Sequence, residues 1–554
     1  MADIVIAALG SHGDVAPLTG VGARLQQAGH RVTLAAYDRF ASLVRNCGIG
    51  FRGVSEPRES SDEADVDVTR ALFQFLAPRG MRSLGTALLT ARTSLGRRRA
   101  SKGAAGIDNR LALADEALLA EHHAAGMNVI IQVTWLYAHA IDLDALQRFR
   151  HNLGRGLLGR RIEAPALPIA RHRWVIDHGP ADIDIEQRAR PRAEFSEWVD
   201  ERSQLHIDPE SGPGWHIGVL PLQDGTTAIS LVLSHNLIDG LGLALVIVEA
   251  VLGRTRDLGY PLPLSRRRLR ALGQDARQTA RDVPQVARAL VAAVKLGRKQ
   301  ARDKDLLGLA PAAVPLAGST ALPDEVVLVP AITIYVGLDA WDARAEALGG
   351  ASHTLAAAFA ARFGERIGRR RAHDGAITLQ IPISDRTEND TRAMALSYAR
   401  VSIDPVSLTT DLREVRAAIK QTLKTLKESP DESKQLLWLP SFAPKRTLKR
   451  MVARMPADPD QSVFCSYLGD LHSMIGRPAG TLADFQNARA TGQRERRQLL
   501  ERTGGRMFVL SGRLNGKIFI SVGAYQPGAT NTKEALRELA ELTLADFSLP
   551  GEIH

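Results

Sequence analysis

Cysteine is almost absent from this chain. Two residues in 554, Cys47 and Cys465, leave no disulfide framework and no cysteine-ligated zinc site, and they fit a reducing compartment. Aromatic residues make up only 5%, and no stretch interleaves them with basic residues or shows finger spacing, which argues against nucleic acid. Long hydrophobic runs are missing too. The nearest to one, Leu231 to Leu252, carries His235, Asn236 and Asp239 and breaks at Gly240, so no transmembrane span is expected. No basic region precedes the first apolar residues, and Met1 to Gly10 reads as a buried strand rather than a leader. The expectation is a cytoplasmic protein, peripheral at most to the inner face of the membrane.

What the chain does have is length and positive charge. At 554 residues it exceeds one hydrophobic core, so at least two domains are expected. The formal net charge is +10, which suits anionic partners: a membrane surface, nucleic acid, or a phosphate-bearing substrate such as a coenzyme A thioester. Hydrophobic periodicity outlines an α/β protein. Asp3 to Leu9, a glycine-rich turn, Val21 to Gln27 and Arg31 to Ala36 read as strand, turn, helix and strand. Asn128 to Tyr137 reads as a strand and Asp144 to Leu158 as a helix. Trp215 to Leu222 and Thr226 to Leu233 read as a hairpin about Gln223-Asp224-Gly225. Later strands are expected at Glu325 to Val336, Ile377 to Ile383, Met394 to Ile403, Ser462 to Leu468, Met507 to Leu514 and Lys517 to Tyr525. Helices are expected at Ser352 to Ile367 and Thr532 to Ala545. The resulting domain division is 1–100, 108–305 and 306–554.

One stretch carries chemistry. Ser234-His235-Asn236-Leu237-Ile238-Asp239-Gly240 joins an apolar strand to an apolar helix. A histidine at a strand end can project into a cleft as a general base, since its ordinary pKa of about 6.5 leaves a neutral imidazole at cellular pH. Asp239 can brace the bend, and Gly240 allows close approach where a Cβ would obstruct. From the local pattern alone, a core histidine beside an Asp-Gly turn accounts for the same residues.

The motif with its surroundings resembles the His-x-x-x-Asp-Gly signature of the chloramphenicol-acetyltransferase-like acyltransferases. Within that superfamily the best match is the wax ester synthase/diacylglycerol acyltransferase group, over about residues 110–554. Pro213-Gly214-Trp215 stands where a Pro-x-Trp strand start is expected, and Pro382-Ile383-Ser384-Asp385-Arg386 matches the Pro-(Val/Ile)-Ser-x-Arg strand end. Ser466-Tyr467-Leu468-Gly469 matches loosely a Ser-Asn-x-x-Gly strand. Two departures stand out: Ser234 replaces the first of two adjacent histidines, and Tyr467 replaces the asparagine. The resemblance implies two similar lobes with a tunnel between them and transfer of a fatty acyl group from acyl-CoA to a hydroxyl acceptor. That acceptor would be a long-chain alcohol, a diacylglycerol or a glycolipid. His235 would be the base, with Ser466, Tyr467 and Trp215 as candidates at the substrate or oxyanion. Asp239 would pair with an arginine, Arg160 or Arg161, although a solvated charge describes either arginine as well. No metal or redox cofactor is implied. A donor loaded on a carrier protein, or a non-catalytic lipid-binding descendant, are the alternatives.

The first residues form a second motif. Gly10-Ser11-His12-Gly13-Asp14-Val15, Pro17 and Gly29-His30-Arg31-Val32-Thr33 resemble the acceptor-binding half of sterol- and antibiotic-type glycosyltransferases. The resemblance makes Asp14 a candidate base. It covers only about residues 1–53, and the sugar-nucleotide half is missing, so a partial Rossmann-like unit is expected. The spacing is not Gly-x-Gly-x-x-Gly, which speaks against a dinucleotide site. Finally, Arg254 to Lys304 is dense in arginine and lysine with Val286, Leu290 and Val294 at helical spacing. A peripheral membrane or lipid-droplet surface is an expected partner for it; a helix packed on its own lobe accounts for the same pattern.

Overall fold

The computed structural model describes residues 3–8, 26, 31–54, 108–306, 325–387, 389–428, 449–450 and 457–554. The chain divides into two compact units, Met1–Gly106 and Ile107–His554. In the first, β1 (Asp3–Ala8), β2 (Arg31–Tyr37) and β3 (Gly50–Val54) form a parallel sheet in that order. Val32 and Leu34 of β2 are buried, as are Phe40, Val44 and Ile49. The glycine-rich turn with Asp14 lies outside the described residues, as does the expected helix apart from Gln26, so the structure adds nothing to either reading.

The second unit is mixed α/β. Its first half contributes β4 (Asn128–Tyr137), the small ladder of β5 (Arg160–Glu163) with β6 (Arg173–Ile176), then β7 (Asp184–Ile185), β8 (Trp215–Pro221) and β9 (Thr227–Ser234). After the long helix Arg268–Leu306 come β10 (Val326–Val327), β11 (Ala331–Gly337), β12 (Ile377–Ser384), β13 (Leu396–Ile403) and β14 (Val463–Asp470). β15 (Phe485–Gln493), β16 (Glu495–Arg496), β17 (Arg506–Leu514), β18 (Lys517–Tyr525) and β19 (Glu552–Ile553) follow.

These strands build two principal sheets, ordered β15-β4-β9-β8-β7 and β13-β12-β14-β17-β18-β11-β19. The first borrows its edge strand, β15, from the second half of the chain, so a division near residue 305 does not separate the sheets. β8 and β9 are the expected hairpin, with Gly225 at φ +85° in the turn, a conformation that glycine alone takes without strain.

β9 shows no apolar/polar alternation because both of its faces are covered. Ile229, Leu231 and Leu233 pack with Leu243, Val246 and Ile247 of the helix Gly240–Val251. Ala228 meets Trp198 and Leu220 on the other face. The cluster around β9 also takes in Ala393, Ile475 and Leu514, so residues from the two halves share one core. In the second sheet Ile377 and Leu379 of β12 and Val463 and Cys465 of β14 pack against the small-residue helix Ser352–Arg366.

Candidate functional site

β9 ends at Ser234, and the chain turns at once into the helix Gly240–Val251. The turn is pinned at every step. Ser234 N–H donates to Gly214 O at 3.0 Å, His235 N–H to Val129 O at 2.8 Å and Leu237 N–H to Ser234 O at 3.0 Å. Ser234, fully buried, donates its hydroxyl to Asn128 Oδ1 at 2.9 Å. It is a structural residue that fixes the strand before the histidine.

His235 is the half-buried residue of this otherwise buried segment. Its Nδ1 is enclosed and has no hydrogen-bond partner among the described residues. Burial holds the imidazole below its ordinary pKa, against the opposing pull of its own main-chain carbonyl and of Asp239. The ring is therefore neutral at pH 7, and among the described residues its Nε2 has no hydrogen-bond partner.

Asp239 is fully buried and caps the helix that follows. Its Oδ1 accepts from Gly242 N–H at 2.7 Å. The same carboxylate takes the Arg386 guanidinium in a fork, Nη2 to Oδ2 at 2.6 Å and Nε to Oδ1 at 3.3 Å, and Ala395 N–H at 3.0 Å. The Arg386 side chain is 3% exposed and also donates to the carbonyls of Arg392 and Ala393. Asp239 N–H returns a bond to Ala393 O at 2.9 Å. A fork of this kind fixes orientation as well as distance. It ties the motif turn to the loop between β12 and β13. Gly242 makes it sterically feasible, since a Cβ there would lie 2.9 Å from Arg386 Cζ.

The arginine expected to face Asp239 is thus not the one that does. Arg160 is 1% exposed, stacks on Trp174 at 3.8 Å, and donates to Leu237 O at 2.9 Å and to Thr391 O. It supports the turn from beneath through main-chain carbonyls. Arg161 alternates to the other side of β5 and, among the described residues, reaches Ser211 O alone, at 3.4 Å. A second buried carboxylate holds the same loop: Asp115 accepts Met394 N–H at 2.7 Å and Ala393 N–H at 3.1 Å.

Two further expectations need correction. Trp215 is 1% exposed and donates its indole N–H to Leu158 O at 3.0 Å, so it is core beneath the hairpin rather than a substrate contact. Tyr467 sits with Val463 and Cys465 on the face of β14 that meets the helix layer, and its hydroxyl bonds Ser352 Oγ at 3.1 Å. Strand alternation puts Ser466 and Leu468 on the opposite face.

Leu468, which sequence reading did not single out, faces Gly240 at 3.6 Å from the position of an added Cβ. Beside this pair lies an apolar slot of about 40 Å³, lined by Ile131, Val133, Leu243, Ile247, Leu510 and Phe519 among others. Its walls come from both sheets. Among the described residues no cluster of His, Cys, Asp or Glu could hold a metal ion, and no helix is long and apolar enough to cross a membrane.

No protein-family model matches the chain. Among curated proteins it is 44% identical over 57 residues to a sterol 3-beta-glucosyltransferase of Arabidopsis thaliana, spanning 10% of this chain and 9% of that protein. Among solved structures, the first condensation domain of the CDA synthetase is 12% identical with a TM-score of 0.47, covering 78% of this chain and 96% of that one. Polyketide synthase associated protein 5 from Mycobacterium tuberculosis is 14% identical with a TM-score of 0.43, covering 80% and 99%. The wax ester synthase/diacylglycerol acyltransferase from Marinobacter aquaeolei VT8 is 13% identical with a TM-score of 0.45, covering 79% and 98%.

Proposed function

We propose that this protein is an O-acyltransferase that moves a fatty acyl group from acyl-CoA to the hydroxyl of a lipid acceptor, with His235 as general base. The observation that carries the reading is a neutral histidine at the end of β9, in a turn fixed by the buried Asp239–Arg386 pair, with Gly240 at the end of that turn lining an apolar slot. Nε2 of His235 takes the acceptor hydroxyl proton as that oxygen attacks the thioester carbonyl. The tetrahedral intermediate collapses, the carbon–sulfur bond breaks, and the imidazolium returns the proton to the departing thiolate. Base catalysis of this kind contributes about 10²–10⁴ in rate. Asp239 has its carboxylate occupied by Arg386 and main-chain N–H groups, so its part is to position the turn. Ser466 stands on the face of β14 opposite the helix layer and is the remaining side-chain candidate near the carbonyl oxygen.

The slot as it stands holds only a few heavy atoms, so a long acyl chain must spread its walls at Gly240 and Leu468. The deciding experiment follows thiol release from palmitoyl-CoA with hexadecanol or diacylglycerol. His235→Ala is expected to abolish release while leaving the thermal unfolding midpoint unchanged. Equal activity in both proteins overturns the assignment. Activity only with an acyl group loaded on a carrier protein keeps the base and replaces the donor.

A further inference from the structure

The long helix Arg268–Leu306 has three distinct faces over its described side chains. One is docked. Asp275 is fully buried and bonds Arg266 at 2.9 Å and Arg173 at 3.3 Å, and it accepts Ala166 N–H at 2.8 Å. Two turns on, Asp282 meets Arg171 at 3.3 Å and Arg110 at 3.9 Å. Ala271 is buried on the same side. Wound at 3.6 residues per turn, Leu269, Leu272, Ala276 and Val283 fall together on a second face, turned away from these anchors, and all are exposed. Arg270, Arg277, Arg281 and Arg288 fall on a third arc beside it and are exposed as well.

The turn that leads into the helix extends the apolar face. Leu262 is 67% exposed and Leu264 is 86% exposed, equal to Leu269. Leu264 has φ +56°, a conformation that costs a branched side chain about 1–2 kcal/mol. It is held there by its N–H bond to Glu163 Oε2 at 2.7 Å. The fold therefore maintains a strained backbone that presents a leucine to solvent. Between Leu262 and Arg288 the only acids are Asp275 and Asp282, and both face inward. Six exposed arginines, Arg267 and Arg268 with the four already named, remain outward. The expected apolar set differs from this one: Val286 is partly buried, and the side chains of Leu290 and Val294 lie outside those the structure describes.

We infer that the turn Leu262 to Leu272 and the outward face of this helix are a docking surface for an anionic lipid bilayer. The leucines enter the interface, and the arginines pair with lipid phosphates. The charge pattern decides for lipid over a second copy of this chain, because an arginine-lined face repels its own duplicate. Apolar residues projecting from a basic surface match the demands of the headgroup region.

The test is cosedimentation of the full chain with phosphatidylcholine vesicles, with and without phosphatidylglycerol. The wild type is expected to pellet with the anionic vesicles, weakly with neutral ones, and less as salt rises. Leu264→Ser with Leu269→Ser is expected to lower the partition coefficient at least tenfold. Arg267→Gln with Arg268→Gln is expected to lower it on anionic vesicles by about fivefold per arginine, without effect on neutral ones. His235→Ala is expected to pellet as the wild type does, so this inference and the acyltransferase reading fail separately. Wild type that ignores anionic vesicles, or variants that bind as well as wild type, overturn it. So does concentration-dependent dimerisation that the leucine variants abolish while vesicle binding persists.

Discussion

At the scale of single residues, two depressed or raised acidities give measurable consequences. Burial sets the His235 pKa below its ordinary value, so its base form persists into mildly acidic solution. The acid limb of kcat/KM is therefore expected to have its midpoint below about 6.5, measured with a thioester that does not itself titrate. Burial also raises Asp115 from its ordinary value near 3.8 to about 6. The sign follows directly: an acid with a raised folded pKa favours the protonated fold. Its contribution is fully present below about pH 4 and is lost as pH rises through 6. The difference is on the order of 3 kcal/mol. Asp115→Asn is expected to flatten the stability profile between pH 4 and 6 in urea titrations, and an unchanged slope would sink this. The motif histidine, its acid and its glycine could all be read in the sequence, because a strand end, a turn and a helix start are local patterns. The partner of Asp239 could not. Arg386 lies 147 residues away; the Pro382 to Arg386 strand end marks it as a motif residue, but nothing local pairs it with Asp239. Strand alternation does separate Tyr467 from Ser466 and Leu468, but only the packed helix Ser352–Arg366 tells which face is covered.

At the scale of elements, the motif turn acts as a clamp between β9 and the loop Asp385 to Ala395. Removing one partner of a buried, forked ion pair leaves the other charge uncompensated, at a cost of about 3–5 kcal/mol. Arg386→Met is expected to show that loss in denaturant midpoints. Arg386→Met with Asp239→Asn is expected to recover part of it, since no unpaired charge remains. Gly242→Ala attacks the same clamp sterically and is expected to be destabilising with loss of activity, although the helix gains a better helix former. Leu468→Ala works on the slot instead, and its expected signature is a higher kcat/KM for long-chain relative to short-chain thioesters. Most elements of this unit were legible because they are long and apolar: β4, β9 and β18 fall at the expected places. Two helices were misjudged for local reasons. Leu111 to Leu119, which reads in the sequence as a short segment leading into the domain, runs on as the helix Leu113–Ala125, its alanines and glutamates favouring length. The helix after Asp142 stops at Leu153 with Gly154 as its C-cap, because Gly154, Gly156 and Gly159 follow in quick succession and glycine disfavours continued helix.

At the scale of the whole second unit, Ile107–His554, the informative element is the one the sequence conceals. β15 reads FQNARATGQ, with little of the β-branched and aromatic content that marks strands. It pairs along nine residues of β4 and completes the first sheet from the second half of the chain. Its polar residues are what hold it. Arg489 bonds Gln132 at 2.8 Å and Asp200 at 2.8 Å, and Gln493 reaches the Ser203 carbonyl at 2.8 Å. Lys533, from the last long helix, closes on Asp200 and Ser196. Neither sheet can lose its shape without exposing the other's partners, so the unit should unfold as one. Denaturant titration is expected to give coincident transitions by far-ultraviolet circular dichroism and by tryptophan fluorescence. Fluorescence is best followed with Trp341 as the sole remaining tryptophan, because it is fully buried in the second sheet's core. Arg489→Ala is expected to move both transitions together by about 3 kcal/mol. If fluorescence at Trp341 held while the dichroism of the first sheet was lost, the two lobes would be separate folding units. The strand exchange would then be a docking contact rather than the tie that makes them one.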